Sequence, residues 1–129
     1  MTAEALLCRQ YLGWPKGHPG MQEGVRYLLE EHAPDAKQPN IYYWYYATQV
    51  MHHFGGTSWR KWNAKMRNVL VSTQHKNGPE AGSWDPKGRF SNEGGRIYQT
   101  SLSVCSLEVY YRYMTLYEHG ILGDLDDLQ

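Results

Sequence analysis

Apolar positions recur at helical spacing along most of this chain, and five helices follow from them. Over residues 3–12, Ala3, Leu6, Leu7 and Tyr11 share one stripe, which Gly13 and Pro15 bring to an end. Over 20–32, Met21, Val25, Leu28 and Leu29 form a stripe opposite Gln22, Glu23, Arg26 and Glu30, and Pro19 suits a first-turn position. The run "NIYYWYYATQVMHHF", 40–54, starts at a good capping residue, Asn40, and stops at Gly55-Gly56. Its aromatic content would suit a strand. Its length between a cap and two glycines decides for a helix, and its apolar character all round predicts burial on most sides.

Residues 58–73 give the clearest pattern: Trp59, Trp62, Met66, Val69, Leu70 and Thr73 on one stripe, Arg60, Lys61, Lys65 and Arg67 mostly facing away. A Gly/Pro/Ser/Asn-rich loop is expected over 75–95. A last helix, 96–114, carries small residues that permit close packing. The tail "LYEHGILGDLDDLQ" is acidic and is expected to fray. No strand pair is evident.

Two amphipathic helices thus alternate with three that are apolar on several sides. Met21, Val25, Leu28 and Leu29 match Trp62, Met66, Val69 and Leu70 at a constant offset of 41, and Leu12-Gly13 matches Phe54-Gly55 at 42. The first two helix pairs therefore read as copies of one unit. Between "IYYWYYATQV" and "IYQTSLSVCS" the offset grows to 56, which the long loop absorbs. Alternation of this kind predicts two layers, with inner helices wrapped by outer ones. The expected fold is all-α, a partial α/α-toroid of alternating inner and outer helices, with residues 1–129 as a single domain. Such an arc leaves apolar flanks, so the chain should continue in a longer polypeptide or self-associate through its end helices. Helical pattern so close to Met1 points the same way.

Composition narrows the chemistry. Thirteen basic residues balance thirteen acidic ones, so no net field favours nucleic acid or an anionic membrane. Eleven Tyr and five Trp against two Phe imply a core with polar tips, or one bordering a cavity. Cys8 and Cys105 make neither a disulfide framework nor a metal knuckle. No apolar stretch reaches the roughly 20 residues needed to span a bilayer. The start "MTAEALLCRQYLGW" lacks the marks of a signal peptide, which leaves the compartment open, with the cytoplasm as default.

The stretch "TQHKNGPEAGSWDP", 73–86, raises a separate question, because a loop needs its glycines but neither Gln74 nor Trp84. A glutamine both donates and accepts, so Gln74 can bridge unpaired carbonyls at one helix end and unpaired N–H groups at the next helix start. A tryptophan laid on the amide would shield those bonds, while Gly78 lets the chain reverse. This pattern, Gln74, Gly78 and Gly82-Ser83-Trp84, resembles the glutamine–tryptophan repeat of squalene–hopene and oxidosqualene cyclases, whose repeat unit recurs in the β subunits of protein prenyltransferases. Pro79-Glu80-Ala81 lengthens the usual spacing, and the equivalent loop "EHAPDAKQPN" has no tryptophan. "GVRYLLEE" looks like an outer helix of that repeat, and "YYATQVMHHFGG…W…WN…MR" and "GGRIYQTSLSVCSLEVYYRY" look like bacterial squalene-cyclase-like proteins of unassigned activity. The likeness covers about residues 2–117.

The resemblance implies an α/α-toroid and a cavity for isoprenoid-type ligands. Its cyclases protonate an alkene with an Asp-x-Asp-Asp motif. Asp124-Leu125-Asp126-Asp127 has that spelling, but only two residues follow it, whereas the family's motif opens an inner helix. Prenyltransferase zinc sites use an Asp-x-Cys pair, and Ser103 stands two positions before Cys105 here. His52 and His53 are adjacent, about 100° apart on a helix, and poorly placed to share a metal. Neither a metal nor a cofactor is expected. The thioester motif of complement-type toroids is missing as well.

One constellation remains. Tyr42, Tyr45, Tyr46, Gln49, His52 and His53 form a polar-aromatic stripe on helix 40–54, and Tyr98, Ser101, Cys105, Glu108 and Arg112 match it on the last helix. Facing a toroid's centre, these would line a funnel for an isoprenoid or another amphiphile. The plainer alternative packs the tyrosines between helices and pairs Glu108 with Arg112 at i, i+4. The functional expectation is a toroid domain contributing to a hydrophobic-ligand cavity without a complete catalytic set. The alternatives are a non-enzymatic protein-interaction module, and a true cyclase whose acid lies outside this chain.

Overall fold

The computed structural model describes residues 1–117, so Asp124, Asp126 and Asp127 lie outside the described residues. Those residues form six helices and no strand: α1 (Thr2–Tyr11), α2 (Pro19–Glu31), α3 (Ile41–Phe54), α4 (Gly56–Thr73), α5 (Ser91–Leu107) and α6 (Val109–Arg112). The fold is all-α. None of these helices is long and apolar enough to cross a membrane.

Local signals set the helix starts. Pro19 opens α2 behind His18, whose ring Nδ1 accepts the Gly20 N–H at 3.1 Å. Asn40 caps α3 by accepting the Tyr43 N–H at 3.1 Å. The helices then stand in two rows: α3 lies between α1 and α5, while α2 and α4 pack against each other behind them. Buried Met21, Val25 and Leu28 of α2 face the same core as Trp62, Met66 and Leu70 of α4. The repeat read at an offset of 41 therefore places equivalent side chains inward, shifted by one position at its last contact.

Helix α3 buries nine residues, from Ile41 to His53, and touches every other helix. Several of its polar groups are satisfied in place, while Tyr43 Oη, His52 Nδ1 and His53 Nδ1 are buried without a hydrogen-bond partner. The Trp62 indole donates to Thr48 Oγ1 at 3.0 Å, and buried Gln10 donates to the Val50 carbonyl at 3.1 Å. Helix α5 meets α3 through small polar residues. Ser103 and Ser106 return their hydroxyls to the Gln99 and Leu102 carbonyls of their own helix, both at 2.8 Å, which removes the cost of burying them.

The last helix differs from the expected 96–114. A first turn, 91–94, precedes it, and Gly95 breaks the helix with φ +67, ψ −164, a conformation open only to glycine. A further break at Glu108 separates α6. From Tyr113 the chain runs back toward α3 and α1, and the Tyr117 hydroxyl reaches the Trp14 carbonyl at 2.8 Å.

The corner between α4 and α5 also departs from expectation. Gln74 does not bridge two helices: its amide donates to Gly82 O at 3.0 Å and closes the base of the loop. Beside it, His75 N–H donates to Ser83 O and Gly82 N–H to His75 O, at 2.9 and 2.8 Å. Gly78 stands at the tip of that loop with φ +80. Trp84 is buried and is itself the staple. Its indole donates to the Leu70 carbonyl at 2.8 Å, and its backbone N–H reaches Thr100 Oγ1 on α5 at 3.3 Å. Arg96, on the first full turn after the break, completes the link through Ser83 Oγ at 3.1 Å, Asp85 Oδ1 at 2.8 Å and Glu80 Oε1 at 3.0 Å.

Stability should divide accordingly. Trp84→Phe leaves the indole's partner unbonded and is expected to cost about 1–3 kcal/mol, and Trp84→Ala about 3–5 kcal/mol. Gln74→Ala, removing two exposed loop bonds, to Gly82 O and from Lys76 Nζ, should cost about 1 kcal/mol or less. Urea unfolding of the three variants checks the order. Equal losses for Gln74→Ala and Trp84→Phe would restore the amide as the clamp.

Candidate functional site

Helical spacing gives α3 two different sides. Trp44 and Thr48 face α4: Thr48 holds Trp62, and Trp44 lines a slot with Val69, Leu70 and Trp84. Tyr42, Tyr46 and Gln49 lie on the face turned away from α4, with Tyr45 at its margin. The tyrosine rings meet edge to face, Tyr42 on Tyr46 at 5.0 Å and Tyr45 on Tyr46 at 5.1 Å between centroids. Phe90, just before α5, extends the set by meeting Tyr42 at 5.3 Å. Tyr98, partly buried, packs against the core from α5. All of Tyr42, Tyr45 and Tyr46 remain half-buried, so their rings are shared between protein and solvent.

Phe90 is the one non-glycine residue with positive φ among those described, at +65, and its side chain is 44 % exposed. The Arg89 guanidinium lies 4.8 Å over its ring. A bulky residue held in left-handed backbone, with its ring outward, costs of order 1 kcal/mol or more. Gly88 beside it has φ +91, and a Cβ there would collide with the Pro39 carbonyl. The approach to α5 is therefore pressed against the approach to α3, which sets Phe90 beside Tyr42.

The lower end of the same stripe is covered. His52 lies between the rings of Trp59 and Tyr110, and its Nε2–H donates to the Tyr113 carbonyl at 3.0 Å. His53 faces Tyr11, whose hydroxyl is 3.4 Å from Nε2, and the Tyr113 ring. The Tyr113 hydroxyl meets that of Tyr45 at 3.3 Å. This bond, followed by burial, pushes the Tyr113 hydroxyl up to about 12. Gln49 turns back on its own helix, donating to the Tyr45 carbonyl at 3.3 Å.

The matched residues of α5 divide in the same way. Tyr98 and Cys105 are half-buried, and burial raises the Tyr98 hydroxyl. Glu108 pairs with Arg112 at 3.6 Å, the i, i+4 pairing of the plainer reading, and Arg112 also approaches Cys105 Sγ at 3.1 Å. Glu108 and Arg112 thus stand apart from the tyrosine face.

Metal-type chemistry has one focus among the described residues. His75, Glu80 and Asp85 bring ligand atoms within 4.8 Å of one another. The Arg96 guanidinium, however, bonds both carboxylates, and His75 Nε2 is 2.7 Å from the same Asp85 oxygen. Asp85 is held below the usual carboxylate range by Arg96 first and His75 second. A cation already fills this cluster, and it is a clamp between hairpins. Sequence reasoning missed it, although Arg96 following Gly94-Gly95 marks a charged first turn after a break.

Burial gives His53 a testable signature. Desolvation first, then His52, lowers its pKa from 6.5 to about 4, against a small opposing effect of the Met114 carbonyl. The native ring stays neutral while an unfolded one takes a proton below 6.5. Stability present above pH 6.5 should therefore fall as pH drops from 6.5 to 4, by about 3 kcal/mol. Denaturation of wild type and His53→Gln across that range checks this: the variant's pH slope should be flatter.

No family model, no curated protein and no solved structure matches this chain.

Proposed function

We propose that this chain is an arc of an α/α-repeat domain, similar in its unit to squalene cyclases and prenyltransferases. In this reading its tyrosine face supplies one wall of a cavity for a hydrophobic, isoprenoid-type ligand, without a complete catalytic set. The observation that carries it is the half-buried, edge-to-face group of Tyr42, Tyr45 and Tyr46, continued by Phe90. Ring faces offer apolar contact to a hydrocarbon chain, and phenol hydroxyls offer hydrogen bonds to a polar end. One wall encloses nothing alone, so the opposite side must come from further polypeptide or a second copy.

Organic extraction of the purified protein and mass spectrometry should reveal co-purified isoprenoid or acyl chains. Titration with farnesol, followed by intrinsic fluorescence, should saturate, and Tyr42→Ala with Tyr46→Ala should weaken binding about tenfold or more. Absence of both extracted lipid and saturable binding removes this reading.

A separate observation favours the interaction-module reading. Ile97, Ser101 and Val104 form a stripe on α5 opposite the residues that face α3, with Ile97 82 % and Val104 36 % exposed. Tyr111 beyond them is 91 % exposed. Self-association through this flank should appear in sedimentation velocity as a concentration-dependent dimer, and Ile97→Glu should shift it to monomer. A wild-type chain that stays monomeric across the micromolar range would remove this second reading.

A further inference from the structure

A different pocket lies where the starts of α1 and α3 meet the end of α2, away from the tyrosine face, and it is independent of the function proposed above. Its volume is about 410 Å³, within the range of small-molecule sites. Tyr27, His32, Tyr43 and Trp44 supply its aromatic walls, and Glu31 and Asp35 its charge.

Local structure puts these groups together. Tyr27 and Glu31 are four apart on the last turns of α2, so they share a face. His32 ends that helix, and the Asn40 cap sets Tyr43 and Trp44 in the first turn of α3. Successive rings stand steeply to one another: Tyr27 to His32 at 62° and 4.7 Å, His32 to Tyr43 at 69° and 6.0 Å. A hydrogen bond of 2.6 Å between the Tyr27 hydroxyl and His32 Nε2 holds the first pair. The rings form two sides of a box, and buried Trp44 also lines it.

The electrostatics give the sign of the ligand. No lysine or arginine lines the pocket. Met1 lines it, and its amino group is paired with Glu4 at 2.8 Å. The start of α3 is answered by Asn40. Glu31 stands at the C-terminal, negative end of α2. Asp35 accepts a single backbone N–H, from Lys37, at 2.9 Å, leaving acceptor capacity on its carboxylate. An anion would meet two carboxylates and no lysine or arginine, the His32 ring being tied to the Tyr27 hydroxyl. A bare metal ion would need several ligand atoms converging on one point, and among the described residues no such group of histidines or carboxylates gathers at this pocket. Aromatic faces with flanking carboxylates in a roomy pocket suit a weakly hydrated organic cation.

We propose that this pocket binds an alkylammonium group, of the trimethylammonium kind, between the Tyr27, His32 and Tyr43 rings with Glu31 and Asp35 as counter-charges. The test compares choline with 3,3-dimethylbutan-1-ol, its uncharged isostere, by the shift of the Trp44 indole N–H resonance in the intact protein. Choline should give a saturable shift, the isostere binding at least about tenfold more weakly. Glu31→Gln, an exposed change that leaves the fold intact, should weaken choline several-fold and leave the isostere unchanged. Tyr27→Ala should weaken choline further, with circular dichroism confirming its helices. Equal binding of choline and isostere, no saturation by tens of millimolar choline, or tighter binding of inorganic phosphate at the same resonance would each overturn the assignment.

Discussion

The enclosure of α3 is the constraint from which the remaining structure follows. Among its buried side-chain atoms, α3 leaves only the Tyr43 hydroxyl and one ring nitrogen each of His52 and His53 unpaired. A helix packed by neighbours on three sides must pair most of its polar atoms, since each orphan costs about 1–3 kcal/mol. Thr48 meets this with Trp62, and Gln49 by folding back on Tyr45. The Val50 carbonyl meets it with Gln10, and His52 with the Tyr113 carbonyl. These bonds come from α1, α4 and the chain after α6, so seating α3 fixes its neighbours in turn. His53 answers the same constraint differently, by giving up its charge.

Enclosure also explains the division of labour along the tyrosine-rich helix. Toward α4 its side chains are packed among Val69, Leu70 and Trp84 and belong to the core. On the opposite side the rings stabilise one another edge to face and remain half open. At its lower end Tyr113 and Tyr11 complete the cover. One helix thus serves as core, as exposed aromatic surface and as buried hydrogen-bonded layer.

Much of the backbone organisation was legible in the residues. The cap at Asn40, the first-turn Pro19 and the glycines at 55–56 carry local signals, and these mark α2 and α3 to within a residue or so. The alternation of enclosed and one-sided helices reflects burial, which periodicity reports directly. What could not be read depends on partners distant in sequence. Gln74 and Trp84 were recognisable as special, yet which atom each would bond depended on the path of the loop between them. The indole reaches back to Leu70, and the bridging duty falls to Arg96. Gly94-Gly95 reads as loop, but only the second glycine leaves helical geometry. The pocket beside Tyr27 was hidden for a similar reason, because its rings come from two helices and the cap between them.

The closed base of the 74–82 loop has a consequence for how this protein can vary. Gln74, His75, Gly82 and Ser83 tie the two sides of the loop together before the tip begins. The tip around Asn77 and Gly78 is thereby set apart from the helices, while Glu80 still reaches Arg96 of α5. Extra residues near Asn77 and Gly78 would add only a slowly growing loop entropy. Beside Gly88 there is no such slack, since two backbones touch there. Evolution, or a protein engineer grafting a foreign peptide, therefore has freedom at one end of this connection and almost none at the other.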